Sequence, residues 1–172
     1  MEATQAFVRG NHALAASDWE TAIKEHHAAL AAAPKGHPHR ARIVEALVTE
    51  LSLHKDHAAC AEVAAKEAAD LPSGTSRAST LVAGLGCARE AKRDAETDRL
   101  YEIALRDARA RDASLLADDR SALYEEVVET RSAKDPADAH AIAHEWAKFL
   151  EAEVAKAKTK EARASFDPLR LS

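Results

Sequence analysis

Helix breakers, aromatics, cysteines and long apolar runs are all scarce in this sequence. Glycine and proline contribute five residues each to a chain of 172, and Phe, Trp and Tyr together make up 4%. With so few aromatics, one large aromatic core is excluded. No Val/Ile/Thr-rich alternating run bounded by turn residues is present, so no strand is expected. No stretch approaches the ~20 apolar residues of a membrane-spanning helix. The start, Met1-Glu2-Ala3-Thr4, carries neither a basic segment nor an apolar one, so no signal peptide is expected. That leaves the compartment unassigned, with the cytoplasm as the default. Two cysteines are too few for a disulfide framework. Cys60 and Cys87 lie in helical patterns among small residues and read as small buried hydrophobes. A bridge between them stays open, because a sequence does not supply the geometry.

What fills the chain instead is alanine, 42 residues of it. Alanine has the best intrinsic helix propensity, glycine and proline the worst, so helix is expected nearly throughout. Twenty-four basic and 29 acidic residues give a net charge of −5, with both signs interspersed. A mildly acidic chain lacks the basic footprint of a nucleic-acid binder, so neither nucleic acid nor membrane is an expected partner. The small cluster Lys156, Lys158, Lys160 and Arg163 reads as solvated surface.

Organisation shows in the spacing of the breaks. They fall at Ser17-Asp18, 34–38, Lys55-Asp56, 72–75, Arg93-Asp94, Arg111-Asp112 and Asp135-Pro136, leaving segments of ordinary helix length. Asp18, Asp56 and Asp94 follow one another at 38 residues, as do Pro34 and Pro72, and Asp135 comes 41 residues after Asp94. An aspartate before a helix accepts hydrogen bonds from the unpaired N–H groups of the first turn and complements the positive end of its dipole. Eight residues before these aspartates stand Gly10, Val48, Gly86 and Val127. A glycine within a helix costs about 1 kcal/mol relative to alanine, so Gly10 and Gly86 are expected to mark tight crossings. Ala22 and Cys60, four residues after their aspartates, would be the small residues on the other side.

On these residues the chain resembles the tetratricopeptide family, whose units are helix-turn-helix hairpins with small residues at fixed points, an aromatic opening the second helix and a closing proline. Gly10, Trp19, Ala22, Ala29, Leu30 and Pro34 match in the first unit; Cys60, Ala68 and Pro72 in the second. Gly86 and Ala104-Leu105 match in the third, and Ala143 with Trp146-Phe149-Leu150 in a degenerate fourth. The resemblance implies one all-α domain over 1–172, an α-solenoid with units at about 2–34, 38–72, 76–112 and 117–158 and a terminal capping helix over 159–172, the other reading of that last segment being the first helix of a fifth hairpin. The stretch from Asp118 onward is also similar to helical-repeat regions beside thioredoxin-like domains in some bacterial proteins. The alternative is therefore the helical part of a larger enzyme or regulator, with its chemistry elsewhere, since no Cys-x-x-Cys is present.

Enzyme motifs are absent, and no cofactor is expected. Gly84-Leu85-Gly86 lies mid-helix rather than after a strand, so it is not a dinucleotide fingerprint. Asp118-Asp119 and Glu125-Glu126 are adjacent on a helix and do not face each other, so they read as N-terminal charge and solvated face. His140 and His144 share a helix face, yet no third ligand accompanies them and no metal is expected. His26-His27 and His37-Pro38-His39 read as polar surface or packing on the next hairpin, and His54 and His57 straddle a turn. The expected function is non-enzymatic: binding a peptide or partner helix in the groove that the family's inner helices line. Carrying the register across places Phe7, Asn11 and Leu14 in that groove, then Arg42, Glu45, Thr49 and Ser52, then Thr80, Ala83, Cys87 and Glu90, then Tyr124 and Arg131. Phe7 and Tyr124 are the expected apolar anchors. Phe7 stands where a carboxylate-clamping member carries lysine, and Glu90 adds negative charge, so no carboxylate clamp is implied.

Overall fold

In the computed structural model, residues 1–110 and 112–156 are described, and among them the only regular structure is helical. The helices are α1 Glu2–Ala15, α2 Trp19–Ala32, α3 Arg40–Leu53, α4 His57–Glu67, α5 Thr75–Glu90, α6 Asp94–Arg109, α7 Ala117–Ser132 and α8 Pro136–Lys156, with a 3-10 turn Ala68–Asp70 after α4. Three-residue connectors at 16–18, 54–56, 91–93 and 133–135 fold the helices into four hairpins. The hairpins pack in sequence: α3 lies against α2, α4 and α5, and α5 against α3, α4, α6 and α7. The result is a contiguous all-α array, and the expected terminal helix over 159–172 lies outside the described residues.

Three of the four hairpin turns are the same object. Ser17, Lys55 and Lys92 take left-handed φ values of 59°, 63° and 54°. Each donates its N–H three residues back, to Leu14, Ser52 and Arg89, and the following N–H reaches five residues back, to Ala13, Leu51 and Ala88, at 2.8–3.0 Å. This pair of bonds satisfies carbonyls the helix end leaves free. Asp18, Asp56 and Asp135 then cap the second helices, accepting from the N–H of Thr21, Ala59 and Asp138 at 3.1–3.2 Å. Asp94 does not. Lys92 follows Lys55 by 37 residues rather than 38, so Arg93 holds the capping position and Asp94 is the first residue of α6, its carboxylate 3.6 Å from Lys134 Nζ.

Small side chains set the helix spacing. Ala22, Ala29, Cys60, Ala61, Ala64, Ala88 and Ala104 are fully buried beside Val44, Leu47, Leu81, Leu85, Leu100, Leu123 and Ile142. Gly10 is a tight crossing: a Cβ there would overlap the His26 ring. Gly86 is not, since a Cβ there would meet nothing within 4 Å among the described residues. The second tight crossing is Gly84, where a Cβ would overlap the Ala64 methyl and come within 3.3 Å of Leu100. Cys60 and Cys87 are joined as a disulfide with Cα atoms 6.0 Å apart, so they are not the free small hydrophobes expected from the sequence.

Arginine supplies a second recurring element. Arg40, opening α3, pairs with Glu67 at 2.6 Å and donates to the carbonyls of Leu30 and Ala33. Arg77, opening α5, pairs with Asp107 at 2.6 Å and donates to the Leu71 carbonyl at 2.7 Å. Each ties the start of one hairpin to the end of its own second helix and to the close of the preceding hairpin. In the fourth hairpin Arg120 reaches the Asp112 carbonyl at 3.1 Å and lies over the Phe149 ring instead of a carboxylate.

Candidate interaction surface

The first helices of hairpins two to four present one continuous face. Ser76 on α5 donates to Glu45 on α3 at 2.6 Å, and Thr75 donates to Asp119 on α7 at 2.7 Å. At the other end of α5, Arg89 pairs with Glu126 at 2.8 Å and Glu129 at 3.2 Å. Between these ties the solvent side of α5 is low, built from Ser79, Val82, Ala83 and Gly86, all half-buried. Arg42 and Thr49 stand exposed on the α3 side; Glu125 and Glu129 stand exposed on the α7 side. Burial holds the Glu126 carboxyl above its usual range, Arg89 opposes that, and Glu129 and Glu125 reinforce it.

Several expected groove residues lie on this face and several do not. Arg42, Thr49 and Glu90 are exposed and Glu45 and Ser52 half-buried, all on α3 or α5, while Asn11 is exposed on α1. Thr80 and Cys87 are buried: the Thr80 hydroxyl donates to the Ser76 carbonyl at 2.7 Å, and Cys87 is bridged. The neighbouring Ser79 and Gly86 take the solvent side, because from α3 to α5 the face repeats at 37 residues rather than 38. Phe7 turns inward, its ring 5.3 Å from that of His26 on α2, and Leu14 is half-buried. Tyr124 is 6% exposed and packs on Phe149 of α8 with ring centroids 6.0 Å apart. Arg131 pairs with Asp138 at 2.7 Å and lies over the Tyr101 ring. Of the two expected aromatic anchors, Tyr124 is closed off from solvent and Phe7 is half-buried.

Two further features were not legible as sites. His26 is fully buried and meets Glu50 of α3, also buried, with Nδ1 2.8 Å from Oε2. This is the packing on the next hairpin that the sequence allowed, but with a charged partner no motif marks. Among the described residues neither His26 Nε2 nor Glu50 Oε1 has a hydrogen-bond partner. The second feature is a pair of matching outer clefts, one of about 540 Å³ beside Arg40 between the ends of α2 and α4, the other of about 670 Å³ beside Arg120 between the ends of α6 and α8.

His140 and His144 are both exposed on α8, and no group of three or more possible ligands gathers among the described residues. No helix among them is long and apolar enough to cross a membrane. Comparison with protein-family models, curated proteins and solved structures finds no match to this chain.

Proposed function

We propose that this chain is a tetratricopeptide-like α-solenoid of four hairpins that holds a polypeptide on the face of its first helices and performs no chemistry of its own. The observation that carries this reading is the low strip along α5. Gly86 leaves bare backbone at its C-terminal end, where a Cβ would meet nothing within 4 Å among the described residues, while charged and hydroxyl side chains of α3 and α7 rise on either side. An extended segment or a helix with small side chains can approach such a strip closely, and polar flanks fix its orientation. The recurring turns and arginine clasps support the solenoid part of the proposal, because each unit contacts chiefly its neighbours and adds to a continuous surface.

In this reading the binding residues are Arg42, Glu45, Thr49, Ser52 and Glu90 together with Val82, Ala83 and Gly86. Thr80 and Tyr124 serve the interior, and half-buried Phe7 packs on His26 away from this face. The test uses a partner captured from the natural host and then purified. Gly86→Leu fills open space without touching the core and is expected to weaken binding at least about tenfold, roughly 1.4 kcal/mol, with Tm not lowered. Ala28→Leu and Ala147→Leu, exposed on α2 and α8, are the controls. Unchanged affinity for Gly86→Leu, or equal losses in the controls, would contradict the assignment.

A further inference from the structure

We propose that the Cys60–Cys87 disulfide is a sealed staple across the middle of the array, closed as the chain folds and then kept out of reach of thiol reductants by the native packing. The bridge joins α4 to α5, which is the junction between the second and third of the four hairpins. Cys60 is 0% exposed and Cys87 1%. Both belong to the cluster that holds Ala61, Ala64, Leu85 and Ala88, and the same junction contains the Gly84–Ala64 crossing, where no space remains for even a methyl group.

The chemistry follows from that burial. Closure takes two thiols to a disulfide with loss of two protons and two electrons, delivered to a disulfide donor such as oxidised glutathione, which leaves as two glutathione thiols. The exchange runs through a mixed disulfide, and each step needs a thiolate to approach a sulfur directly. Neither sulfur can receive a bulky thiol while α4 and α5 are packed, so closure precedes or accompanies docking of the third hairpin on the second. Reduction likewise waits for that junction to open. Closure needs an oxidising thiol-disulfide poise, so the protein folds in an oxidising compartment, in place of the cytoplasmic default.

The test is a thiol count on protein isolated from its natural host and alkylated in concentrated guanidinium. No cysteine is expected to react before reduction and both after it. Dithiothreitol is expected to open the bridge at least about 100-fold more slowly in the native protein than in guanidinium, because opening of the junction limits the rate. The Cys60→Ala/Cys87→Ala double variant is expected to keep its helical circular dichroism with Tm lowered by about 10 °C, from the loss of cross-linking of a 27-residue separation. Two reactive cysteines in the unreduced protein, or native reduction as fast as in denaturant, would overturn the proposal whether or not the variant folds.

Discussion

At the scale of single residues, three glycines of one chain carry opposite expectations. Gly10→Ala drives a methyl into the His26 ring and Gly84→Ala drives one into Ala64, each expected to cost about 1–3 kcal/mol by overpacking. Gly86→Ala meets open space and is expected to stabilise by up to about 1 kcal/mol through helix propensity. Urea unfolding of the three variants measures both signs. Lys92 holds a left-handed φ of 54° that glycine adopts freely, so Lys92→Gly is expected to stabilise by roughly 0.5–1 kcal/mol in the same assay. Asp112 gives a pH test. The Ser114 backbone N–H, then the Ser73 and Ser114 hydroxyls, hold its carboxyl at about 2 against an ordinary 3.8. A depressed carboxylate contributes its stability above the unfolded value and loses it as pH falls through the folded one. Asp112→Asn is therefore expected to destabilise at neutral pH, with the difference from the parent fading as pH falls from 3.8 toward about 2. None of these distinctions can be read from residue type, because Gly84 and Gly86 share one turn of α5 and differ only in what lies opposite.

At the scale of elements, the arginine clasps are expected to matter more than the exposed pairs that resemble them. Arg77 and Asp107 are largely buried, and Arg77→Met would strand both the carboxylate and the Leu71 carbonyl, a loss of about 2–4 kcal/mol. Arg109 pairs with Glu145 in solvent at similar distance, and Arg109→Met is expected to cost less than about 1 kcal/mol. Chemical denaturation of the two variants makes the comparison. The helices themselves were legible, since every break in the sequence falls in or beside a connector and the aspartate spacing marks three of the second-helix caps. Register was legible only to within one residue. A helix turns about 100° per residue, so the one-residue shortening before Lys92 was enough to exchange Ser79 for Thr80 and Gly86 for Cys87 on the open face. The clasps went unseen because Arg40, Arg77 and Arg120 recur at 37 and then 43 residues, and their partners are a glutamate, an aspartate and a phenyl ring.

At the scale of the whole molecule, the described residues combine a closed interior with a low face along α3, α5 and α7 and clefts between the second helices. Alanine and glycine let the helices approach, the buried His26–Glu50 pair joins the first hairpin to the second, and the disulfide joins the second to the third. Arg89 with Glu126 and Glu129 joins the third to the fourth along the low face itself. Composition foretold the all-helical class, and the spacing of breaks foretold four hairpins. The face had to be seen, because which residues reach solvent depends on contacts between units rather than on any pattern within one. The proposed polypeptide site is the side formed by α3, α5 and α7. Photo-crosslinking residues placed singly at Thr49, Val82 and Glu125, and for comparison at Ala28, Ala58 and Ala147 on the second helices, test it in the natural host. Crosslinks to one polypeptide from the first set and not from the second are the predicted result; crosslinks confined to the second set would contradict it.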